Sequence, residues 1–450
     1  MIFNPLERYI ITLFFIGYPM STDSVKQFIQ ENNIEWVQLH FTDLIGRLRV
    51  LHMPSSRFLE GKTTSGIGFD GSSIGFTSVE KSDMMILPDT SSFLVLPHEE
   101  HEARVIGEIY DTSMNVFPAG PRHILKKAIK TANTQGFDEI KVSPEMEFYV
   151  MDEHDAHEDR IIEQQGYFAP PSLDEIKGYR KKLSEMLSRS GYTMKYHHHE
   201  GGKCQHEVEI DSIDVLSAAD YCIYFKYLAR EIARMFDLLV TFMPKPISND
   251  AGNGMHAHTC FFKKGKNMFM DEDDEYRLSQ TARYFIGGIL EHARGMAAIA
   301  NPTLNSYKRL IPNFEAPIYI AWARHNRSTL VRIPARKNID VEIRNPDAAA
   351  NPYLLYAAMI YAGLDGIKKK IEVDPIEKNI YQMSEQVKDL GIQKLPTNLN
   401  EALEALKSDD VLCKSLGHET IDLFIKYKEK EWQHYISETT DLEYRLYFHC

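Results

Sequence analysis

An α+β fold, with a small β-rich unit ahead of a larger unit of mixed helices and strands, follows from three features of the sequence. Short alternating apolar stretches dominate up to residue 117. The run Val116-Phe117-Pro118-Ala119-Gly120-Pro121 breaks that pattern. Helical periodicity then dominates the C-terminal part. A chain of 450 residues exceeds one ordinary core, so two or three domains are expected.

The elements follow in order. Residues 24–32 predict a short helix. Val37, Leu39 and Phe41 alternate with polar neighbours, as in a half-buried strand. A turn over 43–46 leads to a second strand through Leu48, Val50 and Met53, and segments 93–96 and 105–110 are strand-like. Beyond the break, helices are predicted over 122–133, 172–190 and 213–236, with strands over 142–150 and 239–243. Helices over 351–370, 399–407 and 419–436 close the chain. No tandem repeat or low-complexity linker interrupts it.

Composition excludes several function classes. Hydrophobic residues at 43% and charged residues at 26% describe a soluble globular protein. A net charge of -13 argues against nucleic-acid and anionic-membrane partners. Five cysteines without a CxxC pair point to a reducing compartment, hence the cytoplasm. The apolar run 9–18 is too short to span a bilayer and lacks a small-residue cleavage site. Met20 and a helix start follow it, so residues 1–19 are expected to be an extension ahead of the physiological start. Peptides from residues 1–19 in native protein would overturn that expectation.

Four segments carry candidate chemistry. In Ser143-Pro144-Glu145-Met146-Glu147-Phe148, strand geometry points Glu145 and Glu147 to one side. Taken alone, this pair reads first as an exposed strand face. A second group is His197-His198-His199-Glu200 with Gln205-His206-Glu207. Cys204 raises zinc, but carboxylates with an imidazole suit magnesium or manganese better, and a polar loop is an equal alternative. Third, Lys245-Pro246 precedes Ala251-Gly252-Asn253-Gly254-Met255-His256-Ala257-His258, a glycine turn that could simply enter the strand over 259–262. His256 and His258 share one face if the strand begins there. Fourth, eight basic residues (Lys308, Arg309, Arg324, Arg327, Arg332, Arg336, Lys337 and Arg344) lie between Asn301 and Asn345, opposed by Glu315, Asp340 and Glu342. Guanidinium forks match phosphate and carboxylate oxygens. Carboxylates for metals beside arginines for anions suit phosphoryl transfer.

With these residues in view, the sequence resembles the glutamine synthetase family over roughly residues 24–440. Phe69-Asp70-Gly71-Ser72-Ser73 with Glu80-Lys81-Ser82-Asp83 is similar to one signature, and Lys245-Pro246 through His256 to another. Asn301-Pro302-Thr303 through Arg309, Asn313-Phe314-Glu315-Ala316-Pro317, Asn326-Arg327-Ser328, Asn351-Pro352-Tyr353, Asn379-Ile380-Tyr381 and Glu431-Trp432 extend the match.

The resemblance implies a β-grasp-like domain over 20–117 and a catalytic domain over 118–450 with a curved antiparallel sheet and C-terminal helices. It implies a glutamate–ammonia ligase that uses ATP and two or three hard divalent cations, Mg²⁺ or Mn²⁺, per site. One cation would sit on Glu147, Glu200 and Glu207, the other on Glu145, His256 and Glu342. Arg309 and Arg344 would hold glutamate near the Gly252 backbone. Arg327, Arg332 and Lys337 would meet the phosphoryl group or nucleotide, with Glu207 and His258 also on the ATP side. Asp70 would bind ammonium and take its proton, beside Asp83, and Glu315 would close a flap over the intermediate. The partner implied is a second copy of the chain, in a dodecamer of two stacked hexamers that share active sites.

Departures from the family pattern leave two alternatives: a ligase joining glutamate to another amine, and a non-catalytic homologue. Asp70 and Asp83 oppose the first, and the full set of metal candidates opposes the second. Asp340 stands where an arginine commonly meets ATP phosphates, so weaker nucleotide binding is expected unless a metal or Lys337 compensates. On this reading Asp340→Arg should tighten ATP binding. Ala251, Cys260 and the middle of the 201–204 loop are also unusual. Tyr381 lacks the sequence context of an adenylylation site.

Overall fold

The computed structural model describes residues 21–61, 65–152, 166–312, 316–383 and 386–450. The proposed extension 1–19 and Glu315 therefore lie outside the described residues. Two sheets organise the chain. The first has the order β2-β1-β5-β4-β3, from β1 (Trp36–Thr42), β2 (Leu48–Pro54), β3 (Ile67–Asp70), β4 (Asp83–Val95) and β5 (Glu102–Asp111). Only β1 and β5 run parallel.

Val37, Leu39 and Phe41 are buried as their alternation predicts, but so are Gln38 and His40. The strand expected to be half-buried is covered on both faces. The ring of Tyr227, on helix Val215–Arg234, stands edge-on to His40 with centroids 5.5 Å apart. Polar residues on a strand thus faced another layer rather than water.

The second sheet is built on β6 (Glu139–Asp152). Its path runs β13 (Trp322–Arg324), β14 (Val331–Ile333), β15 (Val341–Ile343), β11 (Met255–Lys263), β6, β8 (Gln205–Ile210) and β7 (Met194–His199). Short strands β9 (Ile213–Asp214), β10 (Leu238–Thr241) and β12 (Lys266–Asn267) pair beside it. The expected antiparallel sheet is thus a mixed one, because β13 and β14 run parallel. The helix expected over 172–190 begins only at Lys177, because residues after Pro170-Pro171 are held in turns.

One face of the second sheet carries Met146, Phe148, Val208, Ala257 and Ile343, all fully buried against the helical layer. Helix Pro352–Lys369 runs through that layer. Its N-cap residue Asn351 accepts from the Tyr353 N–H at 3.1 Å, and its amide donates to the Asp43 and Leu44 carbonyls, each at 3.1 Å. One side chain thus caps the central helix and holds the β1–β2 turn on it. Among the described residues, no helix is long and apolar enough to cross a membrane.

Helix Pro352–Lys369 crosses helix Gln280–Glu291 where Gly366 meets Gly288. A methyl group at Gly366 would overlap the Tyr284 carbonyl and the Gly288 backbone. Gly366→Ala is therefore expected to destabilise the fold by about 1–3 kcal/mol despite its better helix propensity. A lower midpoint of thermal or urea unfolding is the measurement; an unchanged midpoint would contradict the close crossing.

Candidate active site

The other face of the second sheet is acidic, and strand register makes it so. Glu145 and Glu147 project together from β6, as do Glu207 and Glu209 from β8 and His256 and His258 from β11. Register aligns His198 with Glu207 and Glu207 with Glu147 across three strands. It likewise aligns Glu145 with His256, His258 with Glu342, and Glu342 with Arg332. The bare strand-face reading of Glu145 and Glu147 fails, since both are buried.

His256 lies among three carboxylates: its Nδ1 is 3.0 Å from Glu145 and 3.7 Å from Glu342, and its Nε2 is 3.8 Å from Glu147. His258 Nε2 is 2.7 Å from Glu145, and its Nδ1 is 3.0 Å from Asp340. His198 stands 3.2 Å from Glu207 and 3.6 Å from Glu200. Two donor sets converge tightly enough for a cation: Glu145, His258 and Glu342, and His198, Glu200 and Glu207. The resemblance paired the acids with His256 and did not include His198. Glu147 accepts from the Gly254 N–H at 2.6 Å and the Gln205 amide at 3.1 Å, both on Oε2.

Electrostatics follows from this crowding. Burial, then repulsion from Glu145, Glu147, Glu200 and Glu209, pushes the Glu207 carboxyl well above the carboxylate range. Burial would also raise Glu145, but His258 and His256 bring it well below that range. His258 rises to about 10: burial opposes the charge, and Glu145, Glu342 and Asp340 prevail. An oxygen-rich, self-repelling donor set with imidazoles fits a hard divalent cation. It does not fit a zinc–thiolate site, because Cys204 packs with Tyr149 and Ile247 instead.

Guanidinium groups share the cleft with these acids. The cleft, about 540 Å³, is lined by Glu145, Glu147, Glu200, Glu207 and His256 together with Gly252, Arg309, Arg327, Arg332 and Arg344. Arg332 pairs with Glu342 at 2.6 Å and Arg344 with the same residue at 3.2 Å. Arg309 is anchored by the Asn345 carbonyl at 2.7 Å. Glycine is required at 252, where a Cβ would stand 2.5 Å from the Pro244 carbonyl and 2.8 Å from Arg309.

Several expected residues lie elsewhere. His258 and Glu342 are buried behind the cleft wall. Lys337 is exposed and does not line the cleft; its neighbour Arg336 does. Arg336 reaches Asp340 at 3.4 Å and Glu145 at 3.7 Å. Asp340 therefore serves His258 and Arg336, and an arginine in its place would face two cations. Asp340→Arg would thus remove the acid partner of His258 and Arg336. Asp70 and Asp83 are register partners on β3 and β4, exposed and outside the cleft lining. Hydrogen bonds from Ser72 and Ser73 hold Asp70 down at about 2. Sequence reasoning missed Arg336 as a lining group, Gln205, and the stacked rings of Tyr167 and Phe168 at the cleft. The run Tyr167-Phe168 was the one available signal.

Comparison with known proteins shows the family. Models of the glutamine synthetase β-grasp domain and catalytic domain match residues 33–112 and 118–447. The chain is 43% identical to glutamine synthetase of Pyrococcus furiosus over 413 residues, 90% of this chain and 92% of that one. It is 40% identical to that of Thermotoga maritima over 440 residues, 96% and 100% of the two chains. Among solved structures, the GmaS/ADP complex superposes with a TM-score of 0.88 at 31% identity, covering 94% of this chain and 99% of that one. Plasmodium falciparum glutamine synthetase, seen by cryoEM, gives 0.86 at 26% identity, covering 95% and 99%.

Two outcomes are expected of the acidic cleft. Divalent-cation affinity rises with pH, because a cation must displace the proton that crowding favours on Glu207. Gln205→Ala lowers that affinity by about 10–100-fold by releasing Glu147. Calorimetric titration with Mg²⁺ or Mn²⁺ measures both; affinity independent of pH would refute the first.

Proposed function

The chain belongs to the glutamine synthetase family and is an ATP-dependent glutamate–ammonia ligase; from that premise we propose how its residues divide the work. Its substrates are glutamate, ammonia and ATP, and it uses divalent cations. The observation that carries the residue assignment is one cleft lined together by buried carboxylates and arginines.

The side-chain carboxylate of glutamate is a poor acylating agent, because its leaving group would be oxide. Transfer of the γ-phosphoryl group from ATP makes γ-glutamyl phosphate, from which phosphate can leave. Arg309 and Arg344 orient glutamate beside the Gly252 backbone. Arg327, Arg332 and Arg336 carry the charge of the transferring phosphoryl group, with Arg336 in the part expected of Lys337. Mg²⁺ or Mn²⁺ would be held by Glu145, His258 and Glu342 and by His198, Glu200 and Glu207, with His256 and Glu147 close by, and would supply neutralising charge for the phosphates. Burial in the protein strengthens each of these interactions.

Ammonium has no free lone pair and must lose a proton before it attacks the acyl phosphate. Asp70, beside Asp83, is assigned both to bind the cation and to accept that proton; held down at about 2, its carboxylate is charged when ammonium arrives. Glu315 is assigned the task of shielding the acyl phosphate from water.

Asp70 and Asp83 lie outside the cleft lining of their own chain, which supports a site completed by a neighbouring subunit in a dodecamer. The exposed apolar residues Leu442, Tyr444, Leu446, Tyr447 and Phe448 near helix Asp441–Tyr447 also call for a covering surface.

Glutamine formation is expected with ammonia and not with methylamine, in an assay dependent on ATP and Mg²⁺. Preference for methylamine would sink the amine assignment. Asp70→Asn should lower turnover by about 10²–10⁴-fold while leaving ATP affinity unchanged. Mixed oligomers of Asp70→Asn and Glu207→Gln subunits should recover activity that neither has alone. No recovery would show that each chain holds a whole site.

A further inference from the structure

A second cavity, about 670 Å³, lies where the β1–β2 turn meets helices Val215–Arg234 and His418–Ser437. It shares no lining residue with the carboxylate cleft. Arg47, Arg49, Lys226, Arg230, Arg234 and Lys428 line it, against the acids Glu231 and Glu431. Three of these cations are matched: Arg49 with Asp43 at 2.8 Å, Arg234 with Glu231 at 3.0 Å, and Lys428 with Glu431 at 3.1 Å.

Arg47, Lys226 and Arg230 have no ion-pair partner among the described residues. Arg230 donates to the Lys226 carbonyl at 3.3 Å and lies 5.1 Å over the Phe242 ring. Lys226 is 9% exposed, and its ammonium donates to the Ala348 carbonyl at 3.0 Å. An ammonium has three donors, so its capacity is not filled. Burial pushes Lys226 down to about 8. Asp347 acts on Lys226 only from beyond ion-pair distance, so its buried charge is poorly compensated, and a bound anion lessens that cost.

In a chain of net charge -13, an excess of unpaired positive charge within one cavity is a local arrangement. The volume is that of a small-molecule site. Leu48, Ile223 and Phe242 add apolar wall, which a bare inorganic anion would leave unused.

We propose that this cavity binds a small organic dianion, a dicarboxylate or a phosphate ester, with its acidic groups on Arg47, Lys226 and Arg230 and its carbon skeleton on Leu48, Ile223 and Phe242. Both acidic groups present the oxygen pairs that guanidinium forks accept. The site stands apart from the ligase cleft and does not rest on the ligase assignment. Its occupant would bridge the N-terminal sheet and the helical layer.

Calorimetric titration of the full chain with succinate, glycerol 3-phosphate and inorganic phosphate tests this. Saturable binding of an organic dianion is expected, weakened at least about tenfold in Arg47→Gln/Arg230→Gln with glutamine formation retained. Lys226→Met, which keeps most of the side-chain volume, should give the same loss and reads the site if the double variant does not assemble. Tighter glycerol 3-phosphate identifies a phosphate ester, and tighter succinate a dicarboxylate; either supports the proposal. No binding, binding unchanged in these variants, or inorganic phosphate binding as tightly as both organic probes overturns it.

Discussion

Mutual repulsion among buried carboxylates is the constraint around which the catalytic unit is arranged. Glu145, Glu147 and Glu207 are buried on neighbouring strands, with Glu342 behind them. Such a face stands only if opposite charge is supplied close by. Imidazoles do part of this: His256 and His258 sit among the acids at ion-pair distance. Arg332 and Arg344 do another part from β14 and just past β15. What remains uncompensated at Glu207 is the repulsion from its neighbouring acids, which raises its carboxyl above the usual range.

The same constraint explains the framework. Buried charges need fixed partners, and fixed partners need strands whose register cannot slip. The apolar reverse face of the sheet supplies that rigidity by packing on helix Pro352–Lys369 and its neighbours. Asn351 and Arg122 then fasten the N-terminal sheet to this core. Arg122 reaches Asp89 at 2.7 Å and Glu108 at 2.6 Å in that sheet, and Asp220 on helix Val215–Arg234 at 3.0 Å. A buried guanidinium among three acids is strongly held, because its loss would leave the Asp220 carboxylate buried without its cation.

Much of the framework was legible from periodicity. The two strands flanking the 43–46 turn, β6 and the long C-terminal helices each carry a clean apolar pattern. β7 and β8 were not foreseen as strands, although their histidines and glutamates were noted. Met-Lys-Tyr-His-His-His has no apolar alternation, because one of its edges and one of its faces serve polar groups. The alternation in β1 predicts a half-buried strand, since a second packed layer leaves no mark on a single strand's pattern.

The sequence by itself determined which chemical groups are present: paired acids two residues apart on a strand, a glycine turn leading to two histidines, and a stretch rich in arginine. Local spacing fixes such facts, since strand geometry acts over two residues. Only the tertiary structure decided which imidazole faces which acid, that Arg336 rather than Lys337 enters the cleft, and that Asp340 partners His258. Those choices depend on register between strands distant in the chain and on competition among charges for a shared buried space. Neither quantity is written in the order of neighbouring residues.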